Sequence, residues 1–251
     1  MIALIHGETT MKIPHPPANS DFSDLSDLSA LSDLTSESVP LHVCSETVTD
    51  ESLHTLAAHV VSALQHANKT VATAESLTGG YIAKTLTDIS GASAVLEGAV
   101  VSYSDRIKHK LLGVQTQTLQ TYTAVSAQTA AEMAEGIRLA VGADIGISVT
   151  GVAGPTGGTA QTPVGCVFLG CATQNGVAVT RLQCGGHASK TTSQATHVPV
   201  ADVKEEHLTK AAGEQRTSGT KQNTFLQRDN VRRQTVQAAL QCILQTLQTT
   251  K

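Results

Sequence analysis

A chain of 251 residues with 40% hydrophobic content, no Trp, three Phe and three Tyr must build its core from Ala, Val, Leu and Ile, as α/β proteins with short buried strands do. A formal net charge of −4 and the lack of a lysine-rich block argue against the basic footprint of a nucleic-acid binder. Five cysteines without C-x-x-C spacing argue against a zinc site or a disulfide framework, and no apolar run approaches the roughly 20 residues that span a bilayer, so a soluble cytoplasmic protein is expected.

Residues 1–47 include "NSDFSDLSDLSALSDLTSES", which holds too little apolar surface to offset the entropy of ordering. They are expected to form a disordered tail, and the ordered domain is expected over 48–251. It opens with a helix in which Leu53, Leu56, Ala57, Val60, Val61 and Leu64 recur at helical spacing behind a Thr49 or Asp50 cap. The strand "TVATA" follows, with a helix after Ser76. "AVLEGAVVSY" reads as a strand ending at Tyr103, and Ser104 caps a short helix through Leu111. Ser126 caps another helix carrying Met133, Ala134, Ile137 and Val141. "DIGISVTGVAG" reads as a buried strand entering a glycine-rich loop, and "VGCVFLGCAT" with "GVAVTRLQC" as a hairpin turning at Gln174, Asn175 and Gly176.

Residues 185–224 are polar, lack a period and exceed an ordinary connection, so they are expected to be an inserted mobile loop. His187, His197 and His207 lie ten residues apart there, which is not a chelating spacing, and no metal site is expected. A final helix carries Val236, Leu240, Ile243, Leu244 and Leu247 on one face. Strands interleaved with helices, plus the hairpin, predict a layered α/β domain with a mixed sheet.

Three stretches carry candidate chemistry. In "TVATAESLTGGYIAKTL" a β-branched run stops at a Glu-Ser pair, and two glycines precede a helical pattern. Ser76 is there either an ordinary N-cap, worth about 1 kcal/mol, or a nucleophile beside helix-start N–H groups suited to an oxyanion. Glu75 is placed to orient a lysine or a substrate. In "VVSYSDRIKHKLL", Tyr103 stands at a strand end and Lys108 about one and a half helical turns later. Lysine serves as a base only when burial or a neighbouring cation lowers its pKa. The competing reading is a core tyrosine and a solvated lysine, and Lys110 is an equally good surface lysine.

In "TGVAGPTGGTAQTPVG", Gly151, Gly154, Gly157 and Gly158 permit close backbone approach, and Thr150, Thr156 and Thr159 offer hydroxyls, which suits a phosphate or ribose. The stretch lacks the Gly-Lys-Ser/Thr ending of a P-loop, and no helix obviously follows it. A plain Gly/Pro turn between strands therefore competes.

Taken with "GAVVSYSDRIKHKLLGV", "AVSAQTAAEMAEGIR" and "VTGVAGPTGGTAQTPVGCVF", the motif "TAESLTGG" resembles the C-terminal domain of the CinA family, whose stand-alone versions are nicotinamide-nucleotide amidases. The resemblance covers about residues 48 to 184 and resumes at "RDNVRRQTVQAAL". It implies a three-layer α/β/α sandwich and hydrolysis of the carboxamide of nicotinamide mononucleotide to nicotinate mononucleotide and ammonia, with no metal or organic cofactor. The family's nucleophilic serine falls on Ser76, and the tyrosine and lysine that assist it fall on Tyr103 and Lys108.

The expected substrate-binding residues are Glu75, Thr78, Gly79, Gly80, Thr150, Gly151, Gly154 and Arg228. The implied partner is a small pyridine mononucleotide, with no nucleic acid or membrane, and a homo-oligomer is compatible with the sequence. Leu77 stands where most members carry a cysteine. The family's F-x-G-D-R segment appears as "FLQR", with Gly-Asp lost and Arg228 kept, and the 185–224 insertion lands just before it. These departures keep two alternatives open: a catalytically silent nucleotide-binding or regulatory module, and an amidase for another small amide.

Overall fold

The computed structural model describes residues 39–44, 46–185 and 217–249, the first ten of the last range by backbone alone. The expected tail before residue 39 and residues 186–216 of the expected insertion lie outside the described residues. Strand β1 (Leu41–Val43) precedes helix α1 (Asp50–Ala67), strand β2 (Val71–Glu75), helix α2 (Tyr81–Thr87) and strand β3 (Leu96–Val101). Helices α3 (Asp105–Leu112), α4 (Thr116–Tyr122) and α5 (Ala127–Val141) follow. Strands β4 (Ile145–Gly151), β5 (Cys166–Thr173) and β6 (Gly176–Gln183) and helix α6 (Thr217–Thr249) complete the fold.

Local chemistry explains most of these boundaries. Thr49 and Ser52 exchange side-chain and backbone bonds across the first turn of α1, and Asn68 ends that helix with φ 50°. Ser104 and Ser126 cap α3 and α5 as their sequence positions predict. The hairpin turns at Gln174 and Asn175, with Thr173 opposite Gly176.

The strands form one mixed sheet in the order β1-β6-β5-β4-β2-β3. β2 runs parallel to β3 and β4, the β4–β5 and β5–β6 pairs are antiparallel, and β1 is parallel to β6. Helices α1, α2 and α6 bury Leu53, Val60, Ile82, Leu86, Leu240 and Ile243 against Ile147, Val149 and Val167 on one face. On the other face α5 buries Met133 and Ile137 against Ala72, Ala74 and Leu112, and Ala127 and Ala130 against Phe168. A fully buried side chain such as Ile147 contributes about 1.5–3 kcal/mol. The result is the expected three-layer α/β/α sandwich.

Two glycines set the depth at which α5 lies. A Cβ on Gly146 would stand 2.1 Å from the Ala134 carbonyl oxygen, and one on Gly136 would stand 1.8 Å from that of Leu112. Neither position tolerates a side chain, so β4 and α3 meet α5 backbone to backbone.

Four expectations are corrected. Residues 41–43, assigned to the disordered tail, pair as an edge strand with β6, and Val39, Cys44 and Val48 are buried beside it. Their partners lie about 140 residues away in the chain, so no local pattern announces the strand. Residues 217–224, assigned to the insertion, belong to α6. The helix expected directly after Ser76 begins only at Tyr81, with Gly80 as its cap. Val141, grouped with Met133, Ala134 and Ile137 on α5, is exposed at the helix end where those three are buried.

Candidate active site

The three candidate stretches meet at the carboxyl ends of the parallel strands β3, β2 and β4, where ligands of open α/β sheets bind. Ser76 extends β2 by one residue, its N–H donating to the Val149 carbonyl at 3.0 Å. The chain then turns tightly, with the Gly79 N–H donating to the Ser76 carbonyl at 3.2 Å. Gly79 and Gly80 have φ of 64° and 92°, which a side chain would strain. Among the described residues no acceptor takes the N–H of Leu77, Thr78 or Gly80.

Glu75 is fully buried and turned away from this turn. Its carboxylate accepts from the N–H groups of Ile82 at 3.0 Å and Ala83 at 2.9 Å, and from the Thr73 hydroxyl at 3.2 Å. Glu75 is therefore the cap of α2, supplied from the preceding strand, where a negative charge suits the helix start. Among the described residues Glu75 makes no bond to Lys108; its oxygens are engaged by Thr73 and by the start of α2. Ser76, by the same token, is released from capping.

Lys108 lies on α3, whose start is capped by Ser104, and only 1% of it is exposed. Its Nζ donates to the Ser102 carbonyl at 2.7 Å and to Ser76 Oγ at 3.3 Å. Burial pushes the Lys108 pKa below the ordinary lysine value, with Asp105 acting weakly in the other direction. No carboxylate forms an ion pair with it among the described residues. Lys110 is exposed, so the tertiary structure separates two lysines that the sequence leaves equal.

Tyr103 is 64% exposed, and its hydroxyl accepts from Arg228 Nη2 at 3.1 Å rather than joining Ser76. Arg228 Nη1 donates to the Gly154 carbonyl at 2.7 Å, linking α6 to the glycine loop. One helical turn later, Arg232 Nη2 donates to the Thr78 carbonyl at 2.8 Å and its guanidinium sits 5.6 Å from the Tyr81 ring centre. Helix α6 thus ties together the serine turn, Tyr103 and the glycine loop. Arg232 was not among the sequence-predicted residues. Its i, i+4 spacing from Arg228 on one helix face was the available signal.

The remaining predicted residues make contacts within the protein. Thr150 is buried and its hydroxyl donates to the Ala124 carbonyl at 2.6 Å. A Cβ on Gly151 would stand 2.6 Å from the Cys166 carbonyl oxygen, so this glycine lets β4 and β5 approach. Gly154 has φ 77° and presents its carbonyl to Arg228. The loop also closes on itself, through Val152 N–H to the Cys166 carbonyl at 2.9 Å and Gly165 N–H to the Val152 carbonyl at 2.8 Å. Thr78 Oγ1 and Ser102 Oγ are buried without a partner among the described residues. No group of His, Cys, Asp or Glu is arranged to hold a metal ion among the described residues, and no described helix is long and apolar enough to cross a membrane.

Residues 53–206 match the family model of the CinA C-terminal domain. The chain is 43% identical over 150 residues to the nicotinamide-nucleotide amidohydrolase PncC of Escherichia coli, which covers 59% of this chain and 91% of that protein. It is 52% identical over 131 residues to a putative competence-damage inducible protein of a Thermoanaerobacter species, covering 52% of this chain and 32% of that protein. The chain thus spans about a third of the length of that relative. The crystal structure of the competence/damage inducible protein CihA from Agrobacterium tumefaciens superposes with a TM-score of 0.59 at 32% identity, covering 81% of this chain and 99% of that one.

Proposed function

The chain belongs to the CinA C-terminal domain family, and on that premise we propose that it hydrolyses the carboxamide of nicotinamide mononucleotide to nicotinate mononucleotide and ammonia. The observation that carries the proposal is the 3.3 Å approach of the buried Lys108 Nζ to Ser76 Oγ. A lysine whose pKa is lowered by burial, without a carboxylate partner, is the kind that serves as a general base.

Neutral Lys108 takes the Ser76 proton as Oγ attacks the carboxamide carbon. The oxygen of the tetrahedral species faces the unspent N–H groups of Leu77, Thr78 and Gly80. Collapse expels ammonia, which takes its proton from the Lys108 ammonium. Water then attacks the acyl-serine, giving a proton to Lys108; the ester C–Oγ bond breaks, Lys108 returns that proton to Ser76 Oγ, and nicotinate mononucleotide leaves as the carboxylate. Tyr103 keeps its own O–H hydrogen while accepting from Arg228, which supports a role in orienting the leaving amide or the nucleotide. We place the site in one amidohydrolase domain that starts by Val39 rather than at residue 48.

Ammonia release from nicotinamide mononucleotide, compared with nicotinamide riboside and free nicotinamide, tests this reading. Turnover of the mononucleotide is the expected result. Binding of the mononucleotide without ammonia release would replace the enzyme with a silent binding module.

A further inference from the structure

We propose that Cys44 and Cys184 form a redox-modification site, a dithiol that a hydroperoxide converts to an intramolecular disulfide pinning the N-terminal edge strand to the sheet. β1 and β6 are parallel, with Leu41, His42 and Val43 opposite Arg181, Leu182 and Gln183. One residue further that register sets Cys44 opposite Cys184, and the Cys44 N–H donates to the Gln183 carbonyl at 2.9 Å. The Cys184 thiol donates to Cys44 Sγ across 3.4 Å. Adjacent strands hold their Cα atoms about 4.8 Å apart, inside the span of about 4.4–6.8 Å that a disulfide accepts. The sulfurs need only close from 3.4 Å to about 2.05 Å.

The position of the pair favours that closure. β1 has three residues and, among the described residues, β6 as its single sheet neighbour, so it opens more readily than the interior strands. The hydrogen bond from Cys184 also lowers the Cys44 pKa, which favours the thiolate that attacks an oxidant. Cys171 and Cys242 share a thiol hydrogen bond too. That contact joins α6 to β5, which is paired on both edges and has no free edge to open.

With hydrogen peroxide as the hydroperoxide the chemistry balances. The Cys44 thiolate attacks a peroxide oxygen, the O–O bond breaks, and Cys44 becomes a sulfenic acid while hydroxide leaves and takes a proton. Cys184 then attacks the Cys44 sulfur, losing its proton as the S–O bond breaks and water departs. Two thiols give up two electrons, one peroxide accepts them, and two waters form. A small thiol reverses the step by exchange.

The test treats the full reduced chain with hydrogen peroxide, traps the remaining thiols, and maps peptides without reduction. The expected result is a Cys44–Cys184 linked peptide and the loss of two of the five free thiols. Tm should rise by several degrees, because the bond closes a loop of 140 residues, and dithiothreitol should restore it. Cys44→Ser and Cys184→Ser should each remove the rise. The mapping on the unaltered chain stands even if either variant folds poorly. Sulfinic acid at Cys44 with Cys184 still free, a Cys171–Cys242 link in its place, or unconsumed thiols would overturn the proposal.

Discussion

The serine turn at residues 76–80 and the glycine loop at 151–165 look alike as sequence, since both are rich in Gly and Thr and both follow a buried strand. They differ in which polar groups remain unspent. In the turn, the Ser76 hydroxyl is relieved of capping by Glu75, and three N–H groups have no acceptor among the described residues. At the loop, Thr150 just before it is bonded to Ala124, the Gly154 carbonyl to Arg228, and the rims close on each other. Glycine content marks a tight backbone. The hydrogen-bond accounting around it separates the turn proposed to react from a loop whose polar groups are spent.

The largest expected effect tests the reactive half. Ser76→Ala should lower deamidation by at least about a thousandfold. Its unfolding free energy should move by less than about 0.5 kcal/mol, because Ser76 caps nothing. Lys108→Arg should be equally inactive, since guanidinium does not deprotonate near neutrality. In the unaltered chain the rate should rise with pH through the lowered Lys108 pKa, because the neutral amine is the proposed base. A falling rate over that range would assign the base elsewhere.

The two arginines of α6 sharpen the comparison from outside. Arg232→Ala frees the Thr78 carbonyl and should reduce kcat roughly tenfold, the scale of one charge-assisted hydrogen bond. Arg228→Ala frees Tyr103 and Gly154 and should raise KM more than it lowers kcat. Steady-state kinetics on both variants decide the matter, and an exchange of the two patterns would invert the assignment of turn and loop.

A matched glycine pair isolates the chemistry from the strain. Gly80 and Gly157 have φ of 92° and 85°, and an added Cβ would stand 3.4 Å from Val101 and 4.0 Å from Val152 respectively. Alanine at either position should cost about 1 kcal/mol in denaturant unfolding. Activity should fall several-fold only for Gly80→Ala.

The smallest effect on catalysis is expected from Glu132. It is buried on α5 and accepts from Gln115 N–H at 2.8 Å and Thr118 Oγ1 at 2.5 Å, so it holds the start of α4. Burial pushes its pKa up to about 7, against the hydrogen bonds that favour the charge. The folded state therefore prefers the protonated acid. Its contribution to stability is complete below the ordinary carboxyl pKa of 4.5 and is lost as pH rises through about 7. Thermal unfolding between pH 5 and 8 should show this loss, and Glu132→Gln should flatten it.

Much of the framework is legible in the sequence because the interactions behind it are short-range. Thr49, Ser104 and Ser126 cap N–H groups three residues on, the stripe from Leu53 to Leu64 repeats with the helix, and the Asn-Gly turn closes its own hairpin. The family motif marks Ser76 and Lys108, yet only the packed structure shows Lys108 buried beside Ser76 and Lys110 in solvent.

Four features came from tertiary structure alone. They are the capping of α2 by Glu75, the docking of β1 on β6, the Arg228–Tyr103 bond and the Arg232–Thr78 bond. Apart from the Glu75 cap, these contacts join residues 125 to 154 positions apart in the chain. A polar group satisfies itself with whichever partner the assembled core brings within about 3 Å, and that competition has no trace in local pattern. Composition and period determined what the chain builds; the choice of hydrogen-bond partners determined which of its serines, lysines and glycines were left free to act.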